Sequence, residues 1–186
     1  MIEIVTTDLD GVVEISPRKF GDERGFFSET WNSQRLEDHG ISLNFCQDNH
    51  SYSKDKNVLR GLHYQLPPFA QDKLVRVTRG SVLDVAVDIR KGSPTYGKWV
   101  SVILSADKWN QFLVPSGFAH GFLTLEPDTE FLYKVTASYS PDHDRSIRFD
   151  DPAIGIDWPG DPASFILSEK DQHAPLLDDA DNTFTI

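Results

Sequence analysis

The sequence holds a single cysteine, Cys46, and a single methionine in 186 residues. One thiol excludes an intrachain disulfide and with it a disulfide-stapled secreted scaffold; a reducing cytoplasm is the expected setting. Long apolar runs are missing too. None approaches the roughly 20 residues that a helix needs to cross a bilayer. The opening stretch, MIEIVTTDLDG, is acidic and too poor in apolar length for a signal peptide. Basic residues are in short supply: 18 Lys and Arg face 29 Asp and Glu, a net charge of −11. That balance argues against general binding to nucleic acid or to an anionic membrane, both of which need a basic surface. It leaves room for a small anion held by a few local cations. Helical patterning is scarce, and neither an internal repeat nor a low-complexity linker interrupts the chain.

What is present is core material and turns. Hydrophobic residues make up 39% of the chain, with twelve Phe, five Tyr and four Trp. A chain of this length reads as one domain over 1–186, with its core at about 3–175 and a short tail at 176–186. Breakers recur at Gly40, Arg79-Gly80, Lys91-Gly92-Ser93-Pro94, Pro127-Asp128 and Ser140-Pro141-Asp142. Between them lie short runs of Val, Ile, Phe, Leu and Thr. In 73–90, Val75 and Val77 alternate with Arg76 and Thr78, and Val85, Val87 and Ile89 alternate with Ala86 and Asp88. Period two about Arg79-Gly80 predicts a hairpin. Residues 98–104 and 130–137 read as further strands, and 1–15 is compatible with one. The expected class is all-β, a sandwich, barrel or jelly roll, with a few short helices. One helix is expected over 31–39, ended by Gly40. Another is expected over 168–173, with Ser168 as its N-cap and Asp171 at the third position. Asp178, Asp179 and Asp181 read as a solvated tail.

Chemistry is densest in FCQDNHSYSKDKNVLRGLHYQLPPFAQDKLVRV, residues 45–76. On a strand, Gly61, His63 and Gln65 share one face, which is either a solvent face or a cavity lining. His63, taken alone, is as readily a structural histidine as a base. The metal-binding cupins, β-barrels with two short metal motifs, offer one comparison. Pro115, Gly117 and His120 fit the second motif, with Thr124 where it has Asn. The first motif fails: Gln65 stands where it needs a second His, and no Glu follows at 69 or 70. A transition ion needs several converging ligands, so a barrel of this kind is expected without a metal. Proton transfer is then the remaining chemistry. His63 is a candidate base and Asp171 a candidate partner to fix its tautomer. Tyr133 is a candidate acid and Lys73 a candidate cation for an enolate. Each also reads as an ordinary strand or helix residue. Arg24 suits phosphate recognition, or is a plain surface arginine. A strand at 24–29 would set Arg24, Phe26 and Ser28 on one face and Gly25, Phe27 and Glu29 on the other.

Several stretches in fixed order carry a resemblance: DERGFFSETW at 22–31, QDNHS at 47–51, VLRGLHYQ at 58–65, FLVPSGFAHGFL at 112–123, FLYKVTASYSP at 131–141, DPAIGIDWP at 151–159 and LSEKD at 167–171. Together they resemble the dTDP-4-dehydrorhamnose 3,5-epimerases, over about residues 3–175. The resemblance implies a cupin-type jelly roll that works without metal or organic cofactor, as a homodimer, on a dTDP-sugar. It implies His63 as base, Asp171 as its carboxylate partner, Tyr133 as acid and Lys73 beside the sugar's keto oxygen. Arg24, Glu29, Gln47, Asn49, Arg60, His120, Asp144 and Lys170 are implied to contact the nucleotide sugar, and Tyr139 to stack on the thymine. Arg24 and Glu29 are implied to reach the neighbouring subunit's site. Three positions depart from the family pattern. Asp144 stands where Glu is common, Asp72 where Gly is common and Ser116 where Pro is frequent; an inward Asp72 would tie up Lys73. The implied reaction is epimerisation at C3 and C5 of dTDP-4-dehydro-6-deoxy-D-glucose, in dTDP-L-rhamnose biosynthesis. A single epimerase acting at C5 or C3 alone, and a non-catalytic sugar-nucleotide binding module, are the alternatives.

Overall fold

A computed structural model describes residues 2–186; Met1, the first residue of the stretch read as compatible with a strand, lies outside them. The strands run in the order β1 (Ile2–Thr6), β2 (Val13–Pro17), β3 (Lys19–Asp22), β4 (Gly25–Ser28), β5 (Gln47–Ser53), β6 (Leu59–Gln65), β7 (Lys73–Arg79) and β8 (Ser81–Asp88). They continue as β9 (Trp99–Ser105), β10 (Gln111–Val114), β11 (Phe118–Thr124), β12 (Thr129–Val135) and β13 (Asp144–Ser146). Two short helices, α1 (Ser33–Glu37) and α2 (Glu169–Gln172), flank them. A six-stranded sheet has the order β1-β2-β10-β7-β12-β5, a five-stranded sheet the order β13-β6-β11-β8-β9, and β3-β4 form a separate ribbon. Neighbours in sequence such as β5 and β6, or β7 and β8, fall in opposite sheets, the crossing pattern of a jelly-roll barrel. The expected all-β jelly roll is therefore present. None of the described helices is long and apolar enough to cross a membrane.

The hairpin expected across Arg79-Gly80 is absent. β7 pairs with β10 and β12, whereas β8 pairs with β11 and β9. Gly80 is the only residue between β7 and β8, and its φ of +77° turns the chain from one sheet into the other. A Cβ there would sit 2.4 Å from Thr129 Oγ1, so no larger residue fits the corner. Period two shows that a strand has an inward face, but not which strand it pairs with. Val75 and Val77 meet Val82 and Ala86 across the two sheets, in a core with Phe112, Phe122 and Phe131. Burying each such side chain contributes about 1.5–3 kcal/mol. The opposite face of β8, with Val85 and Val87, and Ile89 just past its end are buried as well, beneath Phe149, Ile154, Trp158 and Phe165.

Both helices form, each shorter than its expected range. Asn32 caps α1 by accepting from the Arg35 N–H, and Gly40, at φ +80°, lies just beyond its end. Ser168 caps α2 as expected. The tail is only partly as read. Asp178, Asp179 and Asp181 are exposed, but Leu177, Ala180 and Asn182 are buried. Asn182 bonds the Ile89 carbonyl, and Thr185 bridges to Lys91 in parallel. A run of exposed charges hides the apolar residues placed between them.

Candidate active site

The site is built where β6 meets β11. Two glycines let these backbones close: a Cβ on Gly61 would lie 2.6 Å from Gly121 Cα and 2.8 Å from His120 O. This contact brings His63 directly opposite His120 in the ladder. The register then slips by one residue, so that Phe122 lies opposite Arg60. In a regular strand Arg60 and His63, three apart, point to opposite faces. The bulge turns both into one cleft. Gln65 shares the cleft side with His63, as expected, while Leu62, Tyr64 and Leu66 pack beneath the outer segment.

Asp171 reaches His63 from α2. The Ser168 hydroxyl accepts from the Asp171 N–H at 3.2 Å and donates to Asp171 Oδ2 at 2.9 Å, so the cap that starts the helix also aims the carboxylate. Asp171 Oδ1 lies 2.5 Å from His63 Nε2. Asp171 is 2% exposed. Burial works to raise its pKa, but the His63 bond and charge, with Ser168, outweigh it and hold the carboxyl below the ordinary range. An ionised Asp171 draws the imidazole proton to Nε2 and leaves Nδ1 as the ring's acceptor.

Lys73 begins β7 with its side chain on the inward face of Val75 and Val77. It is nearly enclosed, and its Nζ donates to the His63 carbonyl at 3.2 Å. Burial lowers its pKa to about 8, against the attraction of Asp144 and Asp84. The feared competition from Asp72 does not arise: its carboxylate accepts from the Ser116 N–H at 3.0 Å and the Thr136 hydroxyl at 2.9 Å. Tyr133 stands on the inward face of β12, two residues from Phe131, and burial raises the pKa of its phenol. Such a phenol keeps its proton at neutral pH and can give it away.

The cleft has two lobes that share His63, Lys73, Tyr133 and Lys170. One, of about 450 Å³, adds Arg60, His120 and Asp171. The other, of about 350 Å³, adds Gln47, Asn49, Gln65, Tyr139 and Asp144. In the second lobe Gln47 donates to Asn49 at 2.7 Å and accepts from the Tyr139 N–H at 3.1 Å. Asp144 takes Lys170 in an ion pair and the Tyr139 hydroxyl at 3.3 Å. Arg60 leans on Ser53 and the Tyr52 carbonyl and forms no ion pair among the described residues.

Two expected contacts lie elsewhere. Arg24 occupies the turn of the β3-β4 ribbon rather than a strand, pairs with Asp22 at 2.6 Å and is 85% exposed. Glu29 pairs with Arg35 at 2.6 Å. Neither lines the cleft of its own chain. Phe26 and Ser28 do share a face, against Trp109. Among the described residues no three His, Cys, Asp or Glu side chains gather as a metal ion would require. Sequence reasoning passed over Asp84, which is fully buried and bonds His120 Nε2 at 2.8 Å. The signal was available: a lone acid at an inward position of the apolar strand SVLDVAV.

A cleft with a carboxylate-backed histidine, a buried lysine and a protonated phenol is a site for removing a proton beside a carbonyl. Comparison with known proteins points the same way. The family model described as dTDP-4-dehydrorhamnose 3,5-epimerase matches residues 6–179. The curated enzyme of that name from Sinorhizobium fredii is 56% identical over 163 residues, covering 88% of this chain and 83% of its own. The one from Salmonella typhimurium is 54% identical, covering 97% of this chain and 98% of its own. The crystal structure of a dTDP-6-deoxy-D-glucose-3,5-epimerase from Legionella pneumophila in complex with dTDP-4-keto-L-rhamnose superposes with a TM-score of 0.91 at 49% identity, covering 96% of this chain and 94% of that one. With a family model spanning most of its length and relatives this close, the chain belongs to the dTDP-4-dehydrorhamnose 3,5-epimerase family.

Proposed function

We propose that this chain inverts C3 and C5 of dTDP-4-dehydro-6-deoxy-D-glucose to give dTDP-4-dehydro-L-rhamnose, on the way to dTDP-L-rhamnose. The observation that carries this reading is the His63–Asp171 pair, 2.5 Å apart, in one cleft with Tyr133 and Lys73. The C4 ketone acidifies the hydrogens at C3 and C5. His63 takes one of them, and the electron pair moves onto the C4 oxygen as an enolate. Lys73 stabilises that oxygen by charge, an effect worth about 3 kcal/mol for a well-placed donor. Tyr133 returns a proton from the other face. His63 loses its proton and Tyr133 regains one before the second carbon is treated in the same way, after the sugar shifts. Asp171 keeps the imidazole in the tautomer that accepts a proton. The C4 ketone of the substrate is itself the electron sink, so this reading calls for no organic cofactor.

The nucleotide belongs in the second lobe and at the mouth. Arg60 and Lys170 supply charge for the diphosphate, Tyr139 a face for the thymine, and Gln47 and Asn49 polar contacts. His120 contacts the sugar side. The working unit is a homodimer in the cytoplasm. The dimer's support is the ribbon: Phe20, Phe26 and Phe27 are exposed there, and the exposed Arg24 lines no part of its own chain's cleft.

Proton NMR of the keto sugar nucleotide in D2O with EDTA tests the reading. Deuterium at both C3 and C5, with formation of the L-lyxo sugar, is expected. Exchange at one carbon alone would assign a single epimerase, and binding without exchange a binding module.

A further inference from the structure

Gln65, the residue that breaks the metal motif, is left without a task by the catalytic reading. It ends β6 and is 4% exposed. Its amide is spent on main chain. Nε2 donates to the Phe69 carbonyl at 2.7 Å and the Ser138 carbonyl at 3.2 Å, and Oε1 accepts from the Ser140 N–H at 2.8 Å. Two carbonyls and one N–H fix which end of the amide is which. Both amide protons are used. Gln65 therefore lines the second lobe with no donor left to offer a ligand. Two of its bonds fall on either side of one residue. Ser138 and Ser140 flank Tyr139, in the connection 136–143 between β12 and β13, which holds no helix or strand. Tyr139 is 58% exposed, and among the described residues its side chain makes a single hydrogen bond, from the hydroxyl to Asp144 at 3.3 Å. The direction of the ring is thus set by its backbone.

We propose that Gln65 is a positioning residue of the nucleotide lobe: by holding the main chain on both sides of Tyr139, it presents the phenol ring as a preformed face for the thymine. The assignment deepens the reading that places the thymine on Tyr139, and rests on it. Two other glutamines help. Gln71 donates to the Ala137 carbonyl at 2.8 Å, and Gln47 accepts from the Tyr139 N–H at 3.1 Å. Each of these holds one point of the connection, whereas Gln65 grips it before and after the ring. Its bond to Phe69 ties in a second segment, since the Phe69 ring lies 4.7 Å from that of His143, and His143 bonds the Ser140 hydroxyl at 2.8 Å. A face that must be ordered as the ligand arrives binds more weakly than one already in place. Fixing the main chain of a single residue is worth about ten-fold in affinity. The Gln65 amide makes no bond to the side chains of His63, Lys73, Tyr133 or Asp171, so the proton transfers should feel its loss little.

The test is a double-mutant cycle on dTDP affinity, read by calorimetry beside steady-state kinetics. Gln65→Met keeps the length of the side chain and removes all three bonds. It should weaken dTDP binding about ten-fold and raise KM in step, while kcat stays within about two-fold. In a Tyr139→Ala background the same substitution should change dTDP affinity by less than about two-fold, because the face it positions is gone. A glutamine that merely supports the fold would weaken both backgrounds alike. Equal weakening in the two backgrounds, an unmoved affinity, or a fall in kcat with KM held overturns the proposal. If Tyr139→Ala alone leaves dTDP affinity intact, the stacking reading has failed, and the proposal falls with it. Should Gln65→Met fail to fold, Gln65→Glu takes its place in the cycle. Its carboxylate still accepts from the Ser140 N–H but sets charge against two carbonyls, and the same dependence on Tyr139 is expected.

Discussion

Lys73 Nζ donates to the backbone carbonyl of His63 at 3.2 Å, so the proposed oxyanion cation and the proposed base are held together by main chain rather than by a salt bridge. The lysine gives up solvent for one neutral hydrogen bond, and burial brings its pKa from 10.5 to about 8. Between those values the unfolded chain binds more protons than the folded one. Stability from this group is therefore greatest above 10.5 and is lost as pH falls through about 8. Lys73→Met should stabilise the protein at pH 7 by about 1–3 kcal/mol and abolish turnover. Denaturant unfolding at pH 7 and pH 10.5 checks it. The gain should shrink at the higher pH, and a destabilised variant would refute the account.

Asp171→Asn keeps the size of the side chain but ends its charge and its preference for accepting from Nε2. The His63 ring loses its fixed tautomer, and kcat should fall by about 10²-fold or more while dTDP binding holds. The same substitution should flatten the acid limb of stability. Asp171 has a depressed pKa in the fold, so its contribution is present above the usual carboxylate range and lost as pH falls through the folded value. Equilibrium unfolding between pH 6 and pH 3 reads this out, and parallel curves for the two proteins would count against it.

Tyr133→Phe separates proton removal from proton return. His63 in that variant can still take a proton, exchange it with solvent and give it back on the same face. Deuterium should enter the starting sugar from D2O while inversion falls by about 10²-fold or more. Mass spectrometry of recovered substrate, beside NMR of product, makes the comparison. Loss of exchange in step with loss of inversion would mean that Tyr133 also serves the removal step.

The parts of this site that were legible in the sequence are those set by local rules. Ser168 and Asp171 stand at cap and third position, and the cap that starts α2 also aims the carboxylate. Period two pointed to β7 and β8, short apolar runs pointed to β9 and β12, and a strand at 57–65 would set His63 and Gln65 on one side, as β6 does. What could not be read was whatever depends on a second strand. The β7–β8 corner looked like a hairpin because a glycine turn says nothing about which sheet receives the next strand. Arg60 joins His63 only through a one-residue slip against β11, and that slip needs Gly121 across the ladder from Gly61. Asp84 escaped notice because its meaning lies in His120, on another strand 36 residues away.

Arg24 and Glu29 offer the sharpest test of a shared site, because each lines no part of its own chain's cleft and Arg24 sits at the tip of an exposed ribbon. If that ribbon crosses to a second copy, one site takes His63 from one chain and Arg24 from the other. Arg24→Ala should weaken nucleotide binding at both sites of a homodimer, and His63→Asn should remove the base from both. A mixed dimer of the two variants carries one site with neither change and one with both. Random mixing makes half the dimers mixed, so at a substrate concentration too low for the Arg24→Ala sites to fill, about a quarter of the original activity should return when the two variants are unfolded and refolded together. Refolding each alone supplies the control. Activity no higher than the sum of the two controls would place Arg24 outside the partner's site and leave the exposed Phe20, Phe26 and Phe27 without that role.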